Sequence, residues 1–498
     1  MILRRFGTLL LASLCSACVG PIYHRPKLDI PAAYTAPRPP AAPPPSLIWW
    51  RGFRAPDLDR LIATAEQDSP DVAAAAARVI QADQAARIAG SPLLPNVSAT
   101  AGQQWQRSGN TVGSQFAQFG LQPQGHYTET RTYSAELSAS YEVDFWGKNL
   151  DALRSAQATA LASRFDQQTV WLTTVSAIAT TYFQALSYAE RVAIAERNVR
   201  DAEHILDAYK AELAAGTADA LDVSQQEALV DGYRAQVPAL QSQYHQEVIA
   251  LSILVGLPPE RIALTQTRLI DLGLPPVSPG LPADILRRRP DVANAEAQLV
   301  AQNETVRQDV ANFFPSLTLT AAGGVSSLAL STITGPGTLI ASLATQLTQT
   351  VFDNGLKSGT LGQAKGRYQE LAADYAKAVL QALSDVETAL TAQSFDARQE
   401  ALEAEAVRTA QRSADIARAQ LEVGTVNIVT VLNTETTLFN DQDTLAQVRL
   451  SRFLALVSLY KALGGGWDGA SGVGLGSSGT GLTSNDRRPT TGNPGIPT

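Results

Sequence analysis

Hydrophobic and polar residues alternate with a period of two in the segments that follow Pro95. Residues 133–145, "YSAELSASYEVDF", place apolar side chains at one parity and polar or acidic side chains at the other. Residues 96–105, "NVSATAGQQW", show the same alternation. This period predicts β-strands with one apolar and one polar face. A weaker form recurs in the second half of the chain, at Leu317, Leu319, Ala321, Leu343, Leu347 and Val351.

The segments around these strands predict long helices. Residues 70–89 begin with proline, are rich in alanine and contain no internal breaker, which favours a helix. Residues 148–213 contain no proline, and as one helix they would extend about 100 Å. Gly216 indicates the end of that helix, and Asp219 is a cap for a further helix that runs toward Val255. The second half repeats the pattern, with a helix over 355–421, a reversal at Gly424 and Thr425, and a helix that ends at Leu463.

An internal repeat explains this common order. "SPDVAAAAARVIQADQAARIAGSPLLPNVSATA" from Ser69 aligns with "RPDVANAEAQLVAQNETVRQDVANFFPSLTLTA" from Arg289. "ELAAGTADALDV" aligns with "QLEVGTVNIVTV", and this second alignment has a shorter offset than the first. The first copy therefore has a longer insertion between Pro95 and Gly147. We expect residues 106–131 to form a long external loop. The copies cover 69–256 and 290–465, and 257–289 link them.

The N-terminus has the layout of a secretory signal. Arg4 and Arg5 precede a short apolar run and small residues, so residues 1–17 are predicted to be a signal peptide. Cys18 follows Ala17 as the modified cysteine of a bacterial lipobox does, which implies diacylglycerol and N-acyl chains on Cys18. Val19 in place of aspartate implies sorting to the outer membrane. The alternative is a disulfide between Cys15 and Cys18. The proline-rich residues that follow predict an extended leader over 18–68.

Composition excludes several function classes. The chain has a net charge of −8 and no basic stripe typical of nucleic-acid binding. Its four histidines lie on separate segments, without the spacing of metal ligands or of a catalytic pair. We therefore expect neither an enzyme nor a bound cofactor or metal. "GLGSSG" at 474–479 has no strand before it, and it belongs to a flexible Gly/Ser-rich tail over 466–498.

The number of strands predicts an oligomer. Two strands per copy give four per chain, whereas outer-membrane barrels formed by one chain have about eight or more. Open sheet edges are not tolerated in lipid, so the four strands need other chains to close. The predicted fold is therefore α plus membrane β-barrel, with long helices continuing the barrel. The alternative is a soluble coiled-coil rod, which leaves the amphipathic strands and the lipid signal unexplained.

The chain resembles the TolC/OprM-type outer-membrane efflux proteins, in their lipoprotein branch. The resemblance rests on "CVGPIYHRP", "RRRPDVANAEAQL", "FFPSLTL", "VFDNG" and "LYKALGGGW", in this order. It implies a homotrimer with a twelve-stranded outer-membrane barrel above a helical tunnel through the periplasm. It further implies an adaptor protein, an inner-membrane pump of the resistance-nodulation-division class, and passive exit of drugs and other small toxic molecules. Type I protein secretion and a non-transporting envelope scaffold are the alternatives.

The resemblance also implies where a periplasmic gate lies. In the family this end is closed by the helix after each Gly-Thr reversal, with acidic residues near the tip. The reversals here are Gly216-Thr217 and Gly424-Thr425. Thr430 and Asn433 stand where relatives commonly have aspartates, whereas Asp222 keeps an acid in the first copy. The gate candidates are Leu221, Asp222, Gln225, Val429, Thr430 and Asn433. The alternative for each is an ordinary helix-packing position.

Overall fold

The computed structural model describes residues 19–36, 44–110, 126–265 and 267–467. In chain order the elements are α1 (Pro56–Asp68), α2 (Pro70–Gly90), β1 (Asn96–Asn110), β2 (His126–Val143), α3 (Lys148–Ala214), α4 (Ala220–Val255), α5 (Ile285–Arg288), α6 (Pro290–Ala311), β3 (Ser316–Ser327), β4 (Leu339–Thr348), α7 (Leu356–Glu422) and α8 (Ile428–Ala462). Short 3-10 turns lie at Trp49–Phe53, Ser91–Leu93, Pro259–Arg261, Leu269–Asp271, Pro282–Asp284 and Leu330–Thr332.

The two copies of the repeat fold alike, as the sequence predicts. The long helices α3 and α7 each contain 67 residues. Both copies end on a glycine of positive φ that lies against the backbone in front of the copy's first proline. A Cβ on Gly256 would lie 2.1 Å from the Asp68 carbonyl oxygen, and one on Gly464 would lie 1.9 Å from that of Arg288. Only glycine fits at these two positions, which are equivalent in the repeat.

The strands form one antiparallel sheet in the order β1-β2-β3-β4. Val97 pairs with Ala139, Ala135 with Val325, and Leu317 with Leu347, so odd-numbered residues share one face. That face is mainly apolar, and the other is mainly Ser, Thr, Gln and Glu, as the alternation predicts. In the described part of the chain, β1 and β4 each pair on one side only.

The helices form a shaft that continues from the sheet. Near the strands the neighbours run α2-α3-α6-α7, and farther away they run α4-α3-α8-α7. An aromatic core lies between the N-terminal turn and the long helices. The Trp49 ring stacks on Tyr460 at 4.9 Å between centroids, and Phe53 contacts Phe183 at 4.9 Å. Among the described helices, none combines the length and the apolar character needed to cross a membrane.

The extended leader predicted over 18–68 is wrong at its C-terminal end. Residues 56–68 form α1, which begins at Pro56 and buries Leu58, Leu61, Ile62 and Ala65 in the core. These apolar positions recur at helical spacing, and proline at the first helical position is favourable. The signal peptide, Cys18 and the tail beyond Trp467 lie outside the described residues. Within the predicted tail, Trp467 packs edge-on against Phe165 at 5.6 Å.

The loop predicted over 106–131 is shorter than expected. β1 continues to Asn110 and β2 starts at His126, paired throughout. The polar residues of this segment therefore extend the two strands, and 111–125 lie outside the described residues. Val351, predicted as the end of the fourth strand, follows β4, which ends at Thr348.

Candidate functional site: the hairpin ends and the strand faces

The two Gly-Thr reversals have the same hydrogen bonding. Gly216 and Gly424 have φ of 75° and 72°, the left-handed conformation that glycine adopts without strain. The backbone N–H of Thr217 donates to the Glu212 carbonyl at 2.9 Å, and its hydroxyl donates to the same oxygen at 3.0 Å. The backbone N–H and the hydroxyl of Thr425 likewise both donate to the Gln420 carbonyl, each at 2.9 Å. Each threonine thus satisfies a carbonyl at the end of a long helix.

The helices after the reversals are capped differently. Asp219 caps α4 as predicted, and Asp222 accepts a hydrogen bond from the Asp219 backbone at 3.3 Å, which forms a capping box. Asn427 caps α8 and accepts bonds from the backbone and hydroxyl of Thr430 at 3.1 and 3.0 Å. Asp222 and Thr430 are equivalent in the repeat, so both have a capping role whether or not they face a pore.

The remaining gate candidates lie on accessible faces of one chain. Leu221 is 61% exposed and Val429 is 44% exposed, unlike the buried Val223 and Val431 beside them. This exposure argues against packing within the chain. Gln225 is half-buried, and Asn433 is exposed in a cleft of about 430 Å³ between α7 and α8. In the part of the chain that the structure describes, no hydrogen bond or ion pair joins the α4 candidates to the α8 candidates. That these residues line a pore stays a prediction.

A pair of equivalent ion pairs near the tips was not predicted from the sequence. Lys210 Nζ lies 3.0 Å from Glu227 Oε1 across the first helical hairpin, formed by α3 and α4, and both side chains are about half exposed. The second helical hairpin is formed by α7 and α8. Arg418 Nε lies 2.9 Å from Glu435 Oε1 across the second, and the Glu435 side chain is 6% exposed. Burial raises the pKa of Glu435, an effect that Arg418 opposes. The repeat aligns both members of one pair with both members of the other, which was a signal available in the sequence.

Farther from the tips, charged residues join the two hairpins to each other. Arg191 on α3 binds Asp443 on α8 through two bonds of 2.6 and 3.1 Å. Arg449 on α8 also binds Glu190 on α3 at 3.3 Å. Within the second hairpin, Glu400 on α7 accepts hydrogen bonds from Arg449 at 3.1 Å and from Arg452 at 2.6 Å. Burial works against the ionised form of Glu400, but these bonds outweigh burial and lower its pKa. This network holds the hairpins together above their ends.

The polar face of the sheet has charge only in the first copy. Glu136 and Glu142 point to that face from β2, whereas β3 and β4 contain no charged residue. Glu142 forms an ion pair with Lys148, but Glu136 has no ion pair among the described residues. Carboxylates on the polar face of a membrane barrel lie toward the lumen.

Followed from residue 25 back to residue 19, the leader runs along α6 toward the strands. The Arg25 guanidinium makes two bonds of 2.6 Å with the Glu296 carboxylate. Asn303, which lies closer to β3 along α6 than Glu296 does, donates to the Pro21 carbonyl at 3.2 Å. A Cβ on Gly20 would lie 2.8 Å from the Arg307 side chain. The chain therefore approaches the sheet as it nears residue 19.

Comparisons with known proteins agree with this architecture. The family described as Outer membrane efflux protein matches residues 61–257 and 281–465. Pyoverdine export outer membrane protein OpmQ of Pseudomonas aeruginosa is 39% identical over 84% of this chain and 87% of its own length. Toluene efflux pump outer membrane protein TtgF of Pseudomonas putida is 31% identical over 85% and 86%. The open state of the MtrE outer membrane channel of Neisseria gonorrhoeae superposes with a TM-score of 0.80 at 24% identity, covering 91% of this chain and 99% of that one. The chain belongs to the outer membrane efflux protein family, and it is an efflux duct of the outer membrane that extends into the periplasm.

Proposed function

We propose that three copies of this chain close into one passive exit duct with a twelve-stranded barrel. The observation that carries the proposal is the pair of open edges in each layer. β1 and β4 are the sheet edges, and α2 and α7 are the edges of the helical layer beside it. Strand edges in lipid require partners, and identical copies joined head to tail close a ring.

The repeat supplies a template for the seam between protomers. Within one chain, α6 of the second copy packs on α3 of the first, and Phe314 stacks on Trp146 at 4.7 Å. The equivalent residues are Leu94 after α2 and Asn354 before α7. Leu94 and its neighbour Ile88 are 71% and 72% exposed, as are Phe352 and Leu356 at 84% and 70% on the other edge. Contact between α2 and the next protomer's α7 would cover these apolar side chains.

A cysteine pair tests this seam. In the double variant Leu94→Cys/Asn354→Cys, oxidation should produce a covalent trimer on a non-reducing gel. Each single variant is the control and should remain a monomer on that gel. Monomers alone from the double variant, or covalent dimers as the final product, would contradict the ring.

The exposed ends of the helical hairpins support the partners that we propose for the duct. Leu221 and Val429 present apolar side chains beside the hairpin reversals. This suits contact with a periplasmic adaptor protein and, through it, with an inner-membrane pump of the resistance-nodulation-division class. The pump would supply the energy, and the duct, which makes no bond, would supply only passage. TtgF, a relative, is by its name the outer membrane protein of an efflux pump.

Drugs and other small toxic molecules are the proposed cargo. A second candidate is a siderophore of the pyoverdine class, because identity to OpmQ is 39% against 31% to TtgF. Bilayer conductance followed by export assays in cells that lack their own duct tests both. A protein without channels in a planar bilayer would be a scaffold. Rescue of protein secretion alone would assign the duct to type I secretion.

We further propose that Cys18 bears diacylglycerol and an N-acyl chain. The course of the leader supports this, because residues 20–25 run along α6 toward the membrane sheet. Several acyl chains would hold this end in the inner leaflet. Mass spectrometry of the mature N-terminus should find modified Cys18 and no Cys15. Unmodified Cys18 or retained Cys15 would overturn the assignment.

A further inference from the structure

The first strand pair projects beyond the rest of the sheet. β1 and β2 pair from Asn96–Ser140 to Asn110–His126, but β3 pairs with β2 only between Tyr133 and Val143. Residues 104–110 and 126–132 therefore form a two-stranded ribbon at the end away from the helices. Because the helices extend into the periplasm, this ribbon lies at the outer surface of the membrane.

The outward face of the ribbon changes from apolar to charged. Odd-numbered residues face lipid along the sheet, and the eleven positions from Tyr133 to Val143 span a height of about 25 Å at the usual strand tilt. That height equals the apolar band of an outer-membrane barrel. The next odd-numbered residues beyond Tyr133 are Arg131, Glu129 and Tyr127 on β2, opposite Trp105, Arg107 and Gly109 on β1.

These side chains form a basic and aromatic patch at headgroup depth. The Arg107 guanidinium lies 4.4 Å from the Tyr127 ring centroid, with Glu129 at 3.7 Å. Arg131 is exposed, and no ion pair to it occurs among the described residues. Trp105, the register partner of Arg131, is 58% exposed. Arginine in the hydrocarbon would be unfavourable, but at the interface it costs little and can bind an anion.

We propose that Arg107 and Arg131 bind the phosphate groups of a phosphorylated lipid headgroup in the outer leaflet. Arginine presents a planar fork of donors that matches phosphate oxygens, and aromatic rings favour the interfacial depth. The patch faces sideways into the leaflet, where a lipid headgroup borders it continuously. The ligand chemistry is therefore phosphate on a lipid. The second copy lacks the patch, because β3 and β4 contain no charged residue.

Binding of lipid A, a diphosphorylated glycolipid, to the full-length protein in detergent tests the proposal. The double variant Arg107→Gln/Arg131→Gln should weaken lipid A binding at least tenfold relative to the wild type. Dephosphorylated lipid A should bind the wild type as weakly as lipid A binds the double variant. Channel conductance should be unchanged, because the patch faces away from the lumen, and this serves as the control for folding.

A second variant should change the affinity for lipid A in the opposite direction. Glu129→Gln removes the carboxylate that competes for Arg107, so lipid A should bind several-fold more tightly. Equal lipid A affinity in the wild type, the double variant and Glu129→Gln would overturn the site. Displacement of lipid A by millimolar inorganic phosphate would also overturn it, because that result describes an anion site that does not recognise a lipid.

Discussion

The two hairpin ends share their backbone and differ in their charges. Thr217 and Thr425 close the reversals with matching bonds of 2.9 to 3.0 Å. Across the first hairpin, however, the ion pair is between exposed Lys210 and Glu227, and across the second it involves Glu435, which is 6% exposed. The repeat therefore preserves the geometry of the turn, while each copy has its own electrostatics.

The same division holds at the other end of the molecule. Both copies contribute an antiparallel strand pair with one apolar face, but all charged residues of the four strands belong to the first pair. A barrel and shaft built from two similar units can thus place ionised groups at chosen positions. The second copy has buried charge at the tip and none in the strands. The first copy has an exposed ion pair at the tip and charged residues in its strands.

The largest expected difference concerns the tip ion pairs. Arg418→Met leaves Glu435 buried without its partner, which should destabilise the second hairpin by about 3 kcal/mol. Lys210→Met removes an exposed partner and should cost less than about 1 kcal/mol. Hydrogen exchange of α7 and α8 should accelerate about 100-fold in the first variant, whereas α3 and α4 should change little in the second. Similar acceleration in both would show that burial does not distinguish the copies.

The second prediction concerns pH. Burial raises the pKa of Glu435 above its unfolded value, so ionised Glu435 lowers stability at neutral pH. Stability of the second hairpin should therefore rise as pH falls through the folded pKa toward about 4.3, the unfolded value. Arg418 opposes this rise, and Asp201 on α3 favours it. Asp415, which also pairs with Arg418, and Tyr233 face the same region.

Protection factors measured at pH 7 and pH 5 test this effect. Wild-type amides beside Glu435 should gain protection at the lower pH, because protonation removes the cost of burying the carboxylate. Glu435→Gln should remove that gain, and Glu227→Gln in the first copy should change nothing. If the wild type loses protection at pH 5, the ion pair with Arg418 outweighs burial.

These contrasts show how far residue patterns lead. Proline, glycine and the alternation of polarity predicted the long helices, both reversals and the sheet, because those features act locally. The tip ion pairs depend on which helix faces meet, and only the equivalence of Lys210 with Arg418 pointed to them. The helix α1 was missed because the prolines before it dominated the interpretation, although its apolar residues have helical spacing.

The gate stays a prediction made through resemblance, and the structure gives two of the candidate residues a capping role. Asp222 and Thr430 take part in capping α4 and α8. An isolated chain leaves Leu221, Val429 and Asn433 accessible, which fits a pore-facing position but equally fits contact with another protein. Whether these residues face a pore depends on the neighbouring protomers, and no pattern within one sequence gives the distance between protomers.

The third prediction concerns the charge of the gate. Three copies of Asn433→Asp around the axis would create a ring that binds multivalent cations, with a gain of about 1 kcal/mol, or about fivefold in blocking concentration. Gln225→Asp places the same charge in the first copy and is the matched comparison. Block from the periplasmic side of a planar bilayer measures both. Equal block in the wild type and Asn433→Asp would mean that position 433 does not face the pore.

The smallest expected effect lies in the barrel lumen. Glu136 has no ion pair among the described residues, and it points to the polar face of β2. Its carboxylate should favour cations over anions, and Glu136→Gln should lower the cation-to-anion permeability ratio by about twofold in 0.01 M salt, where the Debye length is about 30 Å. The preference should vanish in 1 M salt, where that length is about 3 Å. Ala344, the equivalent residue of the second copy, faces the same side of β4, so adding Ala344→Glu to Glu136→Gln should restore the ratio. Reversal potentials in asymmetric salt decide the matter: an unchanged ratio in both variants would assign ion preference to the periplasmic end rather than to the strands.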